Sequence, residues 1–128
     1  MGFSGSGSDI ATIGWCFGGG WSLKASIHLG TQGAGCVMYY GMPVPNAVDL
    51  APLKADVLGI FAKQDKSITD AVVLKFKENC KLARKNLTVK TYDADHAFAN
   101  PSSPRFNEEA ATQANEEALK FLKAQLKL

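Results

Sequence analysis

The chain has 128 residues, 46% of them hydrophobic and 20% charged, with a formal net charge of +2. That is enough for one domain with a modest core, and the proportions exclude overall disorder. The lysines are dispersed rather than clustered, and no apolar run approaches the roughly 20 residues of a membrane span, so neither a nucleic-acid partner nor a membrane partner is expected.

Residues 1–8, rich in Gly and Ser, read as a flexible lead-in to a domain over residues 9–128. The first β-rich run covers 10–15. It enters the segment Gly14-Trp15-Cys16-Phe17-Gly18-Gly19-Gly20, a strand, a tight turn and a helix over 19–29 with Leu23 and Ile27 four apart. A second strand is expected over 34–40. Residues 41–55, with Pro43, Pro45 and Pro52, form one long connection with room for no more than a turn of helix. A third strand follows over 57–62. Residues 70–85 place Val72, Val73, Phe76, Cys80 and Ala83 on one helical face, with Thr69 as N-cap. The fourth strand is expected over 87–92. A last helix over 107–127 opens on Glu108 and Glu109 and closes on Lys120, Lys123 and Lys127, which suits the helix dipole at both ends, with Ala110, Ala114, Phe121 and Leu122 toward the core.

The strand runs are apolar at successive positions, the pattern of strands buried on both faces. Alternation with helices then gives right-handed crossovers and a three-layer α/β domain with a mostly parallel sheet of about four strands. Ligands of such sheets bind beyond the carboxyl ends of the strands. Three chemically capable residues fall there: Cys16 after the first strand, Asp65 after the third and His96 after the fourth.

A nucleophile at a strand-to-helix elbow needs small neighbours two before and two after it, and Gly14 and Gly18 supply them. The helix start favours thiolate at Cys16, and the N–H of Phe17 is placed to donate to a developing oxyanion. His96 is the natural base for the thiol, and Asp65 the carboxylate that orients it. Taken singly, each residue has a plainer explanation: a small packed residue, a loop cap, a turn residue beside Lys66. Their order along the chain, nucleophile, acid, histidine, favours a catalytic triad with the chain order of α/β-hydrolases. His28, at the end of a helix, is expected to face solvent. Cys36 and Cys80 are expected in the core. Three widely spaced cysteines suggest neither a disulfide framework nor a zinc site, and a reducing cytoplasm is the expected setting. Gly18-Gly19-Gly20 lacks the spacing of a dinucleotide fingerprint.

Several of these segments together resemble the dienelactone hydrolase family of α/β-hydrolases. Gly14-Trp15-Cys16-Phe17-Gly18-Gly19-Gly20 is similar to its cysteine elbow, Tyr39-Tyr40-Gly41 to the segment after the next strand, Asp65 to the acid position and Asp95-His96-Ala97-Phe98 to the histidine motif. The final helix with Leu119-Lys120-Phe121-Leu122 agrees as well. The resemblance implies hydrolysis of a small ester or lactone through a thioester on Cys16, with no metal and no organic cofactor, and a substrate-binding wall that includes Tyr40, Phe98 and Asn100. It also implies a truncated α/β-hydrolase fold, corresponding to about the C-terminal half of the family's domain. The other half carries a second oxyanion donor, a glutamate that positions the cysteine and a substrate-binding arginine. Asn100 stands where the family has a further carboxylate-binding arginine, and Arg105 does not match that position, which argues against dienelactone itself as substrate. The elbow strand is then an edge with apolar faces, and a homodimer burying it is expected. The alternative is a non-catalytic oligomeric assembly or ligand-binding module that keeps a relic triad, or one completed by a separate chain.

Overall fold

A computed structural model describes residues 10–128, so the lead-in expected over 1–8 lies outside the described residues. The elements follow the order β1 (Ile10–Trp15), α1 (Phe17–Leu29), β2 (Gly33–Tyr39), β3 (Asp56–Ala62), α2 (Asp70–Leu82), β4 (Leu87–Tyr92) and α3 (Glu108–Leu126). The connection between β2 and β3 holds a single 3-10 turn, Val48–Leu50. All strand pairs are parallel, in the spatial order β1-β2-β3-β4, so each crossover steps the sheet in one direction.

Two apolar layers result. Leu23 of α1 and Val73, Phe76 and Cys80 of α2 pack with Leu50 and Leu53 on one face of the sheet, against Cys36, Met38, Val57 and Phe61. On the other face α3 presents Ala110, Ala114 and Ala118 to Val37, Leu58 and Ile60, with Phe121 and Leu122 at its margin. Small alanines let the helix approach closely, and the sheet supplies the bulk. The fold is thus a three-layer α/β arrangement around a parallel sheet of four strands, as expected. Among the described residues no helix is long and apolar enough to cross a membrane.

Burial along the strands follows their place in the sheet. Every residue of β2 is buried, as are all of β3 except Asp56. The expectation of double burial fails at β4, where Thr88, Lys90 and Thr91 are exposed. The reason is geometric: α3 lies over β1, β2 and β3, leaving one face of the outer strand to water. β1 is the opposite edge of the sheet, and Ile10, Ile13 and Trp15 on it are exposed.

Helix starts are set by local hydrogen bonds. The Thr69 hydroxyl accepts the Val72 N–H at 3.4 Å, capping α2 as predicted. α1 begins at Phe17, two residues before the predicted start, because the Cys16 carbonyl already accepts the N–H of Gly19 at 2.9 Å. Cys36 and Cys80 lie in the core and His28 is exposed, each as expected.

Candidate active site

The carboxyl end of β1 turns sharply at Cys16, whose backbone sits at φ 56 and ψ −125, outside the regions L-residues favour. The turn is tied to β2 by the Cys16 N–H, which donates to the Tyr39 carbonyl at 2.9 Å. A Cβ on Gly14 would overlap the Gly18 carbonyl, so the strand passes the helix only with glycine there. The second small position is not the expected one. A Cβ on Gly18 would meet nothing within 4 Å, whereas one on Gly19 would stand 2.7 Å from the Tyr39 carbonyl oxygen. The helix turns its first face outward at Gly18 and presses Gly19 against β2.

Two loops, after β3 and after β4, then bring the remaining groups to this elbow. The Cys16 sulfur lies 3.0 Å from Nε2 of His96, and Nδ1 of His96 lies 2.6 Å from Oδ2 of Asp65. Asp65 is held by its own turn: its Oδ1 accepts the N–H groups of Ser67 at 2.8 Å and Ile68 at 2.9 Å. Its side chain is 1% exposed, whereas that of His96 is 27% exposed and open to an incoming molecule. A carboxylate accepts, so Nδ1 carries the imidazole proton and Nε2 is left to receive one from sulfur.

His96 is further steadied by groups to which sequence reasoning assigned no role. Asp95 accepts the His96 backbone N–H on Oδ1 at 2.6 Å, and its Oδ2 faces Nε of Arg105 at 3.8 Å. The adjacency of Asp95 and His96 was the available signal. Tyr40 and Ala97 both take positive φ, 39° and 68°. With Cys16, three non-glycine residues around one site hold left-handed backbone, each costing on the order of 1–3 kcal/mol.

The residues expected to line a substrate wall separate into two groups. The Tyr40 ring lies 5.1 Å from the His96 ring and 5.4 Å from Phe98. Phe98 is wholly buried, packed also against Tyr92 at 5.7 Å, so it backs Tyr40 from within the core. Asn100 belongs to neither contact. Its Oδ1 accepts the Ser102 N–H at 3.0 Å, and it borders a separate hollow of about 330 Å³ beside Trp15 and Asn115.

Electrostatics at the sulfur differ from the expectation of a helix-stabilised thiolate. Burial is the largest influence and pushes the Cys16 thiol above its ordinary range; the Phe17 N–H opposes it, Asp65 adds to it, and Arg105 opposes it more weakly. Desolvation outweighs the helix start, so at rest the proton stays on sulfur. Burial also drives the Tyr40 hydroxyl up to about 12, keeping it protonated. Among the described residues no cluster of His, Cys, Asp and Glu is placed to hold a metal ion.

Comparison with known proteins gives one family match, two relatives and one solved structure. The family model described as "Dienelactone hydrolase family" matches residues 3–126. The carboxymethylenebutenolidase of Pseudomonas sp. (strain P51) is 32% identical over 115 residues, covering 89% of this chain and 47% of that protein. Carboxymethylenebutenolidase 1 of Cupriavidus pinatubonensis is 30% identical over 118 residues, covering 91% and 49%. This chain therefore spans about half the length of the curated relatives it matches. Among solved structures, a dienelactone hydrolase-like promiscuous phosphotriesterase from metagenomic libraries superposes with a TM-score of 0.79 at 23% identity, covering 93% of this chain and 53% of that one.

Proposed function

This chain belongs to the dienelactone hydrolase family, and from that premise we propose that it hydrolyses small carboxylic esters or lactones, with Cys16 as nucleophile, His96 as base and then acid, and Asp65 as the orienting carboxylate. The observation that carries the reading is the unbroken run of contacts from sulfur to imidazole to carboxylate, 3.0 Å and then 2.6 Å.

In the first half-reaction the Cys16 thiol passes its proton to Nε2 of His96 as the sulfur bonds to the carbonyl carbon. The carbonyl electron pair moves onto oxygen, facing the Phe17 N–H. Collapse of that adduct expels the alcohol oxygen, which takes the proton back from Nε2, and leaves a thioester on Cys16. In the second half-reaction a water gives its proton to Nε2 and its oxygen to the thioester carbon. The thiolate then leaves and recovers that proton, releasing a carboxylic acid. His96 thus ends as it began, and the sum is ester plus water to acid plus alcohol. The resting protonated thiol suits this order, since the sulfur becomes nucleophilic only while His96 accepts its proton. Tyr40, itself 1% exposed, supports the imidazole face from within the core, with Phe98 behind it. Asn100 contributes farther out, where the substrate's remote end would lie.

We further propose that the chain works as a homodimer closed over the β1 edge, in a reducing cytoplasm where its three cysteines remain thiols. The exposed Ile10, Ile13 and Trp15 favour that arrangement.

The test of the chemistry is hydrolysis of 4-nitrophenyl acetate by the protein and by Cys16→Ser and His96→Ala. The expected result is turnover that falls at least 10²-fold in each variant. Equal rates for the protein and Cys16→Ser would overturn the catalytic reading and leave the non-catalytic alternative.

A further inference from the structure

A second cavity chemistry lies in the α1/α2 layer. A groove of about 720 Å³ runs between these helices and over the 42–45 segment, and none of Cys16, Asp65 and His96 lines it. Its walls are apolar: Phe17 and Trp21 from α1, Met42 and Val44 from the connection, Val72 and Phe76 from α2. Phe17 is 82% exposed, and Trp21 and Met42 are also exposed, an unusual concentration of large apolar side chains at a surface. Their arrangement is ordered, since Phe17 and Trp21 meet edge to face at 6.2 Å between ring centres.

The charged residues lining the groove are two lysines, Lys24 and Lys75, with no carboxylate beside them on its walls. The Lys24 ammonium stands 4.9 Å from the centre of the Trp21 ring, a cation–π contact that fixes it over the apolar wall. Among the described residues the ion pairs are His96–Asp65 and Arg105–Asp95, so neither groove lysine has a carboxylate within salt-bridge distance. Both helices follow strands of one parallel sheet and run the same way. Lys24 lies seven residues from the start of α1 and Lys75 five from the start of α2, about 10 Å and 7.5 Å along their axes. Both positive charges therefore line the groove, one from each helix.

An apolar trough lined by two cations, neither paired with a carboxylate, is complementary to an amphiphilic monoanion. We propose that this groove binds a medium-chain carboxylate, its hydrocarbon body along Phe17, Trp21, Met42 and Val72 and its carboxylate between Lys24 and Lys75. The site is separate from the triad and does not depend on the reaction proposed for Cys16. A neutral amphiphile of the same length has the same apolar contact but nothing to neutralise the lysines.

The experiment titrates the 128-residue chain with sodium decanoate and follows tryptophan fluorescence, with light scattering recorded on the same samples. Saturable binding is expected, lost from the signal in Trp21→Phe but still seen there by calorimetry. Octanoate, two methylenes shorter, is expected to bind about tenfold more weakly. The double variant Lys24→Gln/Lys75→Gln should weaken decanoate at least tenfold and leave 1-decanol unchanged. In the unmodified protein, added salt should weaken decanoate and not 1-decanol, a readout that needs no variant to fold. Absence of saturable binding overturns the proposal, as does equal affinity for decanoate and 1-decanol at low salt. So does a fluorescence change that merely tracks a shift in oligomeric state, which would assign the groove to a second copy of the chain.

Discussion

Oδ1 and Oδ2 of Asp65 do different work: Oδ2 meets Nδ1 of His96 at 2.6 Å, while Oδ1 takes two backbone N–H groups of its own turn. The division predicts a specific failure for Asp65→Asn. The amide oxygen replaces Oδ1 on the Ser67 and Ile68 N–H groups, so the amide nitrogen must face His96. An N–H donor there forces Nδ1 to accept and moves the imidazole proton to Nε2, where it opposes the Cys16 thiol. The fold should survive, with an unchanged circular dichroism spectrum, while ester turnover falls about 10²- to 10⁴-fold. Retained turnover in a well-folded Asp65→Asn would mean the carboxylate does not set the tautomer.

The elbow glycines separate into one that the fold requires and one that it does not. Gly14→Ala drives a methyl group into the Gly18 backbone, where no side chain can give way. It should cost more than about 4 kcal/mol and leave little folded protein. Gly18→Ala has open space at the second residue of α1. There the gain in helix propensity and the smaller unfolded-state entropy should stabilise by about 0.5–1 kcal/mol. Urea denaturation of both variants checks the contrast, and similar destabilisation by both would contradict the geometry.

That contrast also marks what can be read from residues alone. The succession of strands and helices along the chain, the Thr69 cap and the placing of Cys16, Asp65 and His96 at three strand ends were legible, because hydrophobic runs and turn chemistry are local signals. The identity of the close-packed glycine was not, since Gly18 and Gly19 are neighbours and only the helix phase decides which meets Tyr39. The start of α1 was hidden for a related reason: its inward face is built from Gly19, Ser22 and Ser26 beside Leu23, so its apolar period is faint. Ser22 is accommodated there by donating to the Val37 carbonyl at 2.9 Å. The resting state of Cys16 depends on burial by remote segments, and the groove lysines on how two helices far apart in sequence lie together. Neither quantity is local.

Burial of the thiols predicts an alkaline limit to stability. Cys80 is held up to about 11 and Cys36 is raised by burial, against an ordinary 9.0. Cys16 is raised in the same direction. A thiol that ionises later in the folded state than in the unfolded one contributes stability that is fully present below the unfolded value. That contribution is lost as pH rises through the folded value. The urea midpoint should therefore hold steady from neutral pH to about 9 and fall between about 9 and 11. Alkylation of Cys16 by iodoacetamide should follow the same sense, slower than a free cysteine at pH 7 and still rising above pH 9. A rate plateau reached below pH 7 would instead place a thiolate at rest.

The β1 edge offers the last prediction. β1 pairs with β2 on one side, and among the described residues no strand lies on the other. Ile13 and Trp15 are 41% and 45% exposed, and Trp15 stacks on Tyr39 at 5.1 Å, so the edge is apolar. A strand edge of this kind is a template for pairing, and a two-fold contact between two copies of β1 satisfies both sets of backbone groups at once. Light scattering coupled to size exclusion should give a dimer at micromolar concentration. Ile13→Lys should give a monomer, because a charge at the seam must be desolvated twice in a symmetric contact. The same lysine in an isolated chain sits in water and should change intrinsic stability by less than about 1 kcal/mol. A monomer in the unmodified protein would refute the dimer. If Ile13→Lys stayed dimeric, the second copy would have to meet the molecule elsewhere, with the exposed Phe17, Trp21 and Met42 surface the next place to substitute.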